Sequence, residues 1–407
     1  METVEEEIYG DKNCREMRGK VMNRILSAEY VSKGHPDKVA DLISDLVLDE
    51  HLKNDRYAHV ACETLISNKL VVIAGELRSH ADNIQYDEIV KKVLIECGYK
   101  DEQAGFNLND YRLVLNLNTQ SEDINYGVNN SYGFRHGKSN CISDKMGAGD
   151  QGIVVGYACN ETQELMPLPQ MIARNYIEKI DYLRENKILE YLQPVSKALV
   201  TINYENRRPI SIANIILSVQ HSDNVSTEEI ENDIITNVVN NDKYTYLLTK
   251  NTKILINPSG KFSIGGPMAD TGVTGRKLMV DTYGGRVRHG GGALSGKDPS
   301  KVDRTGTYLT RWIAKHIVGL GYAQECEVEL QYAIGVAAPI NFTVECFGTE
   351  KIDINEIRKK ISDNFDMRLY SVIEELELFK PNYYSITKQG HFGKIKNCKW
   401  EQVIKKI

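Results

Sequence analysis

Between residues 257 and 304 the chain strings cations among glycines: eleven of its 31 glycines lie here, with eight Lys/Arg against four Asp. Glycine lets backbone N–H groups come close to a ligand, and cations around such turns suit a polyanion. In a chain of formal charge −6, a local surplus of four positive charges points to a polyphosphate cradle. Within the stretch, Gly291-Gly-Ala-Leu-Ser-Gly296-Lys297-Asp298 misses the P-loop pattern by one residue, because Asp298 replaces the hydroxyl that would hold Mg²⁺. No buried strand run leads into it either, so a P-loop nucleotidase is the weaker reading. Asp298 reads instead as an N-cap with Pro299 at the first helical position, which sets Lys297 beside a helix N-terminus. Lys301 and Asp303 follow within the next turn. Gly275-Arg276-Lys277 adds two cations, Asp270 supplies a carboxylate ahead of them, and Phe262 is an aromatic that could stack on a base or fill a rim.

A second constellation, Ser32-Lys-Gly-His35-Pro-Asp37-Lys38, opens a helix. Asp37 in the first turn, beside a histidine and a lysine, is a fitting oxygen ligand for Mg²⁺, which takes one or two carboxylates plus substrate phosphates. His35 reads equally well as a structural histidine. Asp41, Asp45 and Asp49 recur at i+4 opposite the apolar face and read as a solvated acidic stripe. Gly147-Ala-Gly-Asp150-Gln-Gly152 sets one carboxylate in a glycine turn, either for ribose hydroxyls or for the turn itself. Lys197, taken alone, reads as a surface lysine.

The elements that must position these residues repeat. Helices are expected to start near 36, 168 and 299, about 131 residues apart. The first has Val39, Leu42, Ile43, Leu46 and Val47 on one face. Paired strands follow each helix, at 57–66 with 69–77, 196–204 with 210–220, and 326–336 with 341–347. A further helix succeeds each pair. The fold class is therefore α+β: three structurally similar domains in a pseudo-threefold arrangement, each a small mixed sheet covered by helices. The expected division is an extension at 1–22, domains at 23–122, 147–262 and 263–402, and a polar lid loop at 123–146. That loop region, 119–147, carries no periodic pattern and reads as structureless.

Composition narrows the class of function. At 407 residues, 41% hydrophobic and 26% charged, the chain suits a globular protein of two or three domains. A sequence pI of about 5.9 argues against nucleic acid as a partner. No apolar run is long enough for a membrane span, and residues 1–22 lack the apolar core of a signal peptide, so a cytoplasmic protein is expected. The eight scattered cysteines contain no C-x-x-C pair and read as reduced structural thiols.

Together GHPDKVADLISD (34–45), GAGDQG (147–152), PSGKFSIGGP with TGRK (258–277) and HGGGALSGKDPSKVDR (289–304) closely resemble methionine adenosyltransferases. Tyr332-Ala-Ile-Gly-Val and Gly390-His-Phe-Gly add to the likeness, which runs from about residue 23 to 402. The resemblance implies sulfur attack by L-methionine on C5′ of ATP, release of tripolyphosphate, and its hydrolysis to pyrophosphate and phosphate. It implies two Mg²⁺ per site on Asp37 and Asp303, and one K⁺ on Glu63. His35, Lys197, Arg276 and Lys297 would carry the catalytic contacts, with Lys277 also on the phosphates. Asp150, Lys261, Phe262, Asp270 and Ala293 would complete the ATP site, while Glu76, Gln120, Asp270 and Lys301 would meet methionine. A homodimer or homotetramer with sites at the subunit interface is implied as well. Val195, Glu122, Tyr126 and Lys33 depart from the family's usual residues, yet none removes a charge the mechanism needs. A non-catalytic relative would be expected to lack one of Asp37, Asp303, Lys297 or Lys301, and all four are present.

Overall fold

The computed structural model describes residues 23–119, 122–137, 141–380, 382–388, 390–393 and 398–404; the extension at 1–22 and Gln120 lie outside the described residues. Strand β1 (Asn23–Val31) leads into the long helix α1 (Pro36–Asn54), the hairpin β2 (His59–Ser67) and β3 (Leu70–Arg78), helix α2 (Tyr86–Cys97) and strand β4 (Arg112–Thr119). Two short helices follow, α3 (Glu122–Asn129) and α4 (Tyr132–Arg135), with a 3₁₀ turn at Ile142–Asp144. The expected structureless loop is thus partly helical. It is tied down as well: Tyr132 donates its N–H to the Gly335 carbonyl at 2.7 Å, and Gly147 to that of Val128 at 2.8 Å.

The middle of the chain runs β5 (Gly152–Cys159), α5 (Leu168–Glu185), the hairpin β6 (Leu192–Glu205) and β7 (Arg208–His221), α6 (Thr227–Ile234) and β8 (Lys253–Ile256). The last third holds β9 (Gly272–Val273), α7 (Leu278–Asp281), α8 (Val302–Gly319), β10 (Glu325–Tyr332), β11 (Asn341–Glu345), α9 (Ile354–Asn364), α10 (Leu369–Glu375) and α11 (Tyr383–Lys388). The repeat of helix, hairpin and helix is present three times. The β6–β7 turn places Asn206 and Arg207 both at positive φ, the two-residue geometry that matches strand twist.

Three small sheets result, ordered β4-β3-β2-β9, β1-β6-β7-β8 and β11-β10-β5. The first two are mixed, since β3 and β4, and likewise β7 and β8, run parallel. None is built from one stretch of chain. β1 pairs with β6, β5 with β10, and β9 with β2, so each third of the sequence lends a strand to another third's sheet. Each sheet buries its inner face under a long helix: α1 packs on β2, α5 on β6, and α8 on β5 and β10.

Helix α1 buries Val39, Leu42, Ile43, Leu46 and Val47 as its periodicity predicts. Fully burying side chains of this kind contributes about 1.5–3 kcal/mol each. The opposite face is a correction to the sequence reading. Asp41 and Asp45 are 0% exposed and Asp49 is 5% exposed, so the acids form no solvated stripe. Two loops and the start of α11, all from the last third of the chain, lie over them and supply hydrogen-bond donors.

Candidate active site

His35 is the N-cap of α1, its Nδ1 accepting the Asp37 N–H at 3.2 Å. That bond assigns the ring proton to Nε2, leaving a donor on the far side of the ring. Burial, aided by the fields of Lys277 and Lys197, drives the imidazole pKa down to about 3, so the ring is neutral. Asp37 sits in the first turn and is almost wholly buried. Its carboxylate accepts from the Val273 N–H at 3.0 Å, Arg276 Nε at 2.8 Å and Lys277 Nζ at 2.7 Å. Burial alone would raise its pKa, but the bonds from Lys277, Val273 and Arg276 outweigh it and hold the group below the usual carboxylate range.

A second acid–base cluster forms where the 294–303 segment meets β2. Lys297 Nζ lies 2.5 Å from Asp303 Oδ2, and Lys301 Nζ lies 3.0 Å from Asp298 Oδ2. Lys297 itself bridges to Ala61 of β2, and Ala61 stands opposite Glu76 of β3. Glu63 falls two residues along β2 on the same outward face; both glutamates are exposed. The turn holding Asp150 abuts this cluster, because Gly149 donates to the Ser300 carbonyl at 3.3 Å. The two clusters touch at their glycine loops. A Cβ placed on Gly275 would fall 2.6 Å from the Cβ of Ala293.

Other residues named from the sequence stand elsewhere. Lys261 pairs with Asp223 at 3.0 Å, and Phe262, half-buried, donates its N–H to His221 Nε2 at 3.1 Å. Lys197 lies within β6 rather than at its start, opposite Val31 on the outer face of that sheet; it is exposed and, unlike Lys261 and Phe262, adjoins the first cluster, near enough for its charge to act on His35. Asp270 is exposed in the loop before β9.

The reading of Asp298 as the N-cap of the third long helix is overturned, since α8 begins at Val302 with Lys301 in the cap position. The cause is competition for the carboxylate. Asp298 accepts the Val60 N–H and the Ser300 N–H, each at 2.8 Å, and pins this turn to β2 instead. Lys297 is therefore not at a helix N-terminus, and the strand–loop–helix of a P-loop is not formed here. Sequence reasoning also missed Asp41, Asp45 and Arg304. Arg304 is 0% exposed, ion-pairs with Asp45 at 2.5 Å, and donates to the Leu294 carbonyl at 2.8 Å.

Asp37 and Asp303 offer hard oxygen donors of the kind Mg²⁺ takes. Among the described residues no three His, Cys, Asp or Glu side chains converge into a metal cage. The remaining ligands of such an ion would be phosphate and water oxygens. Four cations held in check by carboxylates, on loops rich in close-approach glycines, form an arrangement with the charge and backbone access that a polyphosphate requires.

Comparison with known proteins is consistent with that arrangement. Family models for the S-adenosylmethionine synthetase N-terminal, central and C-terminal domains match residues 23–122, 145–262 and 264–402. The S-adenosylmethionine synthase of Roseiflexus castenholzii is 44% identical over 381 residues, covering 92% of this chain and 94% of its own. Those of Desulforudis audaxviator and Finegoldia magna are also 44% identical, over 382 and 372 residues. They cover 94% and 91% of this chain, and 96% and 94% of their own. The chain belongs to the S-adenosylmethionine synthetase family.

Proposed function

We propose that the paired clusters around Asp37 and Asp303 are the polyphosphate half of the site at which this chain makes S-adenosylmethionine. The transferase class and the joining of ATP with L-methionine come with the family; the residue roles and ions are the proposal. The carrying observation is that Arg276 and Lys277 hold Asp37 while Lys297 holds Asp303, on glycine loops in contact.

Methionine sulfur attacks C5′ of ATP and the C–O bond to the tripolyphosphate breaks. Sulfur loses no proton, so the site needs no general base, and its catalytic load is the charge developing on the leaving group. Two Mg²⁺ ions on Asp37 and Asp303 would neutralise part of that charge. Arg276, Lys277 and Lys297 turn from their carboxylates to the phosphate oxygens, Lys197 joins them, and neutral His35 donates Nε2–H near the departing oxygen. Asp150 accepts from ribose hydroxyls, with Lys261, Phe262, Asp270 and Ala293 completing the nucleotide contacts. Glu76, Gln120, Asp270 and Lys301 receive methionine, Glu63 serves K⁺, and the 123–146 segment acts as the lid. Tripolyphosphate is then hydrolysed to pyrophosphate and phosphate before release.

A second copy of the chain completes the site in this reading. Lys197 shares the outer face of its sheet with exposed Ile25 and Leu199, and Glu63 and Glu76 share that of another. No helix of the described residues is long and apolar enough to cross a membrane, and we place the reaction in the cytoplasm. The deciding assay incubates the protein with ATP, Mg²⁺ and K⁺, with and without methionine. S-adenosylmethionine, pyrophosphate and phosphate formed only with methionine support the reading; ADP, or no methionine-dependent product, sinks it.

A further inference from the structure

Helix α1 carries an acid every fourth residue, and each one takes at least one backbone N–H from the last third of the chain. Asp41 Oδ1 accepts the N–H of Gly275 at 2.8 Å, and Asp45 Oδ1 that of Gly296 at 2.7 Å. Gly275 directly precedes Arg276 and Lys277; Gly296 directly precedes Lys297. The two glycines also share a backbone state, φ +79 at each. Neither has room for a side chain. A Cβ on Gly275 would sit 2.6 Å from the Ala293 Cβ, and one on Gly296 would sit 1.9 Å from the Cys62 carbonyl oxygen.

We propose that Asp41 and Asp45 are positioning residues for the polyphosphate site, one turn apart on α1, each fixing the loop whose next residues are its cations. The proposal rests on the phosphate reading of Arg276, Lys277 and Lys297 given above. Neither aspartate touches substrate. Their effect runs through the peptide: the N–H of the glycine sets the direction in which the next residue leaves. A buried N–H left without its acceptor is costly, so an acceptor oxygen fixed on a helix dictates where the glycine peptide must lie. The surroundings reinforce the clamp. Thr274 Oγ1 accepts from the Thr64 N–H at 3.0 Å and lies 2.9 Å from Ser44 Oγ, while Lys38 ion-pairs with Asp41 at 3.1 Å. On the other loop, the Gly296 carbonyl accepts the Cys62 N–H at 2.9 Å, so that glycine is held from both sides.

Helix α1 contains its own control. Asp49 is buried like Asp41 and Asp45, and accepts the N–H groups of Tyr383 and Tyr384 at 2.9 Å each. Those residues carry none of the proposed phosphate cations, so loss of Asp49 is a loss of structure alone.

The experiment measures binding of inorganic tripolyphosphate with Mg²⁺ by calorimetry, on full-length protein shown to be folded by circular dichroism. Asp41→Ala is expected to weaken binding about tenfold or more, Asp41→Asn, which keeps an acceptor oxygen, by less than about threefold, and Asp49→Ala by less than about twofold. If Asp41→Ala fails to fold, Asp41→Glu serves instead: it keeps the charge but displaces the acceptor by one methylene, with the same tenfold loss expected. Wild-type affinity in Asp41→Ala or its Glu substitute overturns the proposal, as does an equal loss in Asp49→Ala. Arg276→Ala separates the two layers. Unchanged affinity in that variant overturns the phosphate reading itself, whatever Asp41 does.

Discussion

Asp45→Asn tests whether the polar face of α1 is buried structure or wetted surface. Asp45 and Arg304 are both 0% exposed. The aspartate accepts from Arg304 Nη2 at 2.5 Å, the Gly296 N–H at 2.7 Å and Thr387 Oγ1 at 2.5 Å. Removing the charge leaves the Arg304 guanidinium uncompensated, 4.2 Å over the Tyr383 ring, in a place where water cannot reach it. Breaking one side of a buried pair costs about 3–5 kcal/mol. At roughly 2.1 cal/mol/K of unfolding entropy per residue, 407 residues give about 0.85 kcal/mol/K if the chain melts as one unit. The melting temperature should therefore fall by about 4–6 °C, read by scanning calorimetry. Replacing both partners, Asp45→Leu with Arg304→Met, removes the uncompensated charge and should recover at least half of that loss. Asp303→Asn is the contrast. Asp303 is 20% exposed and pairs with Lys297 at the site, so this variant should melt within about 1 °C of wild type while losing most of its turnover. An Asp45→Asn protein that melts within about 1 °C of wild type would refute the argument, because a solvated carboxylate behaves that way.

Three further outcomes follow from the same geometry. Gly292→Ala would put a Cβ 2.0 Å from Asp303 Oδ1, and a carboxylate end can swing away, so the fold should survive while the Mg²⁺ needed for half-maximal rate rises several-fold; an unchanged Mg²⁺ dependence would count against the metal role of Asp303. Gly296→Ala forces a left-handed φ on a side chain that also meets the Cys62 carbonyl at 1.9 Å, and should cost more than about 2 kcal/mol in a urea melt, whereas Gly260→Ala, equally left-handed but in open space, should cost less. Burial pushes the Asp49 carboxyl up to about 6 against the N–H bonds from Tyr384 and Tyr383. The folded chain therefore holds a proton there that the unfolded chain, with a pKa of about 3.9, has lost. That contribution to stability is complete below pH 4 and vanishes as pH rises through 6, by at most about 3 kcal/mol. Urea melts of Asp49→Asn should show a flatter pH dependence of stability over that window than wild type, and an identical slope would refute the assignment.

The parts of this fold legible in the sequence are those whose causes are local. Apolar spacing on α1 and alternation in the hairpins each report on neighbours in the chain, and each lies where it is expected. The acids of α1 do not, because i+4 spacing is the same whether a face meets water or a docked loop. Their donors, Gly275 and Gly296, lie 234 and 251 residues away. The same distance hid the cap of α8, where Asp298 is claimed by β2, and the two-residue strand β9, which exists only by pairing with β2. One clue was nonetheless present from the start. A glycine directly before a cation is costly unless the backbone needs a left-handed turn, and a loop held in such a turn must bond its N–H groups to something. Buried acceptors at helical spacing are what that requirement predicts, so the glycines of the loops and the aspartates of α1 express one constraint written in two places.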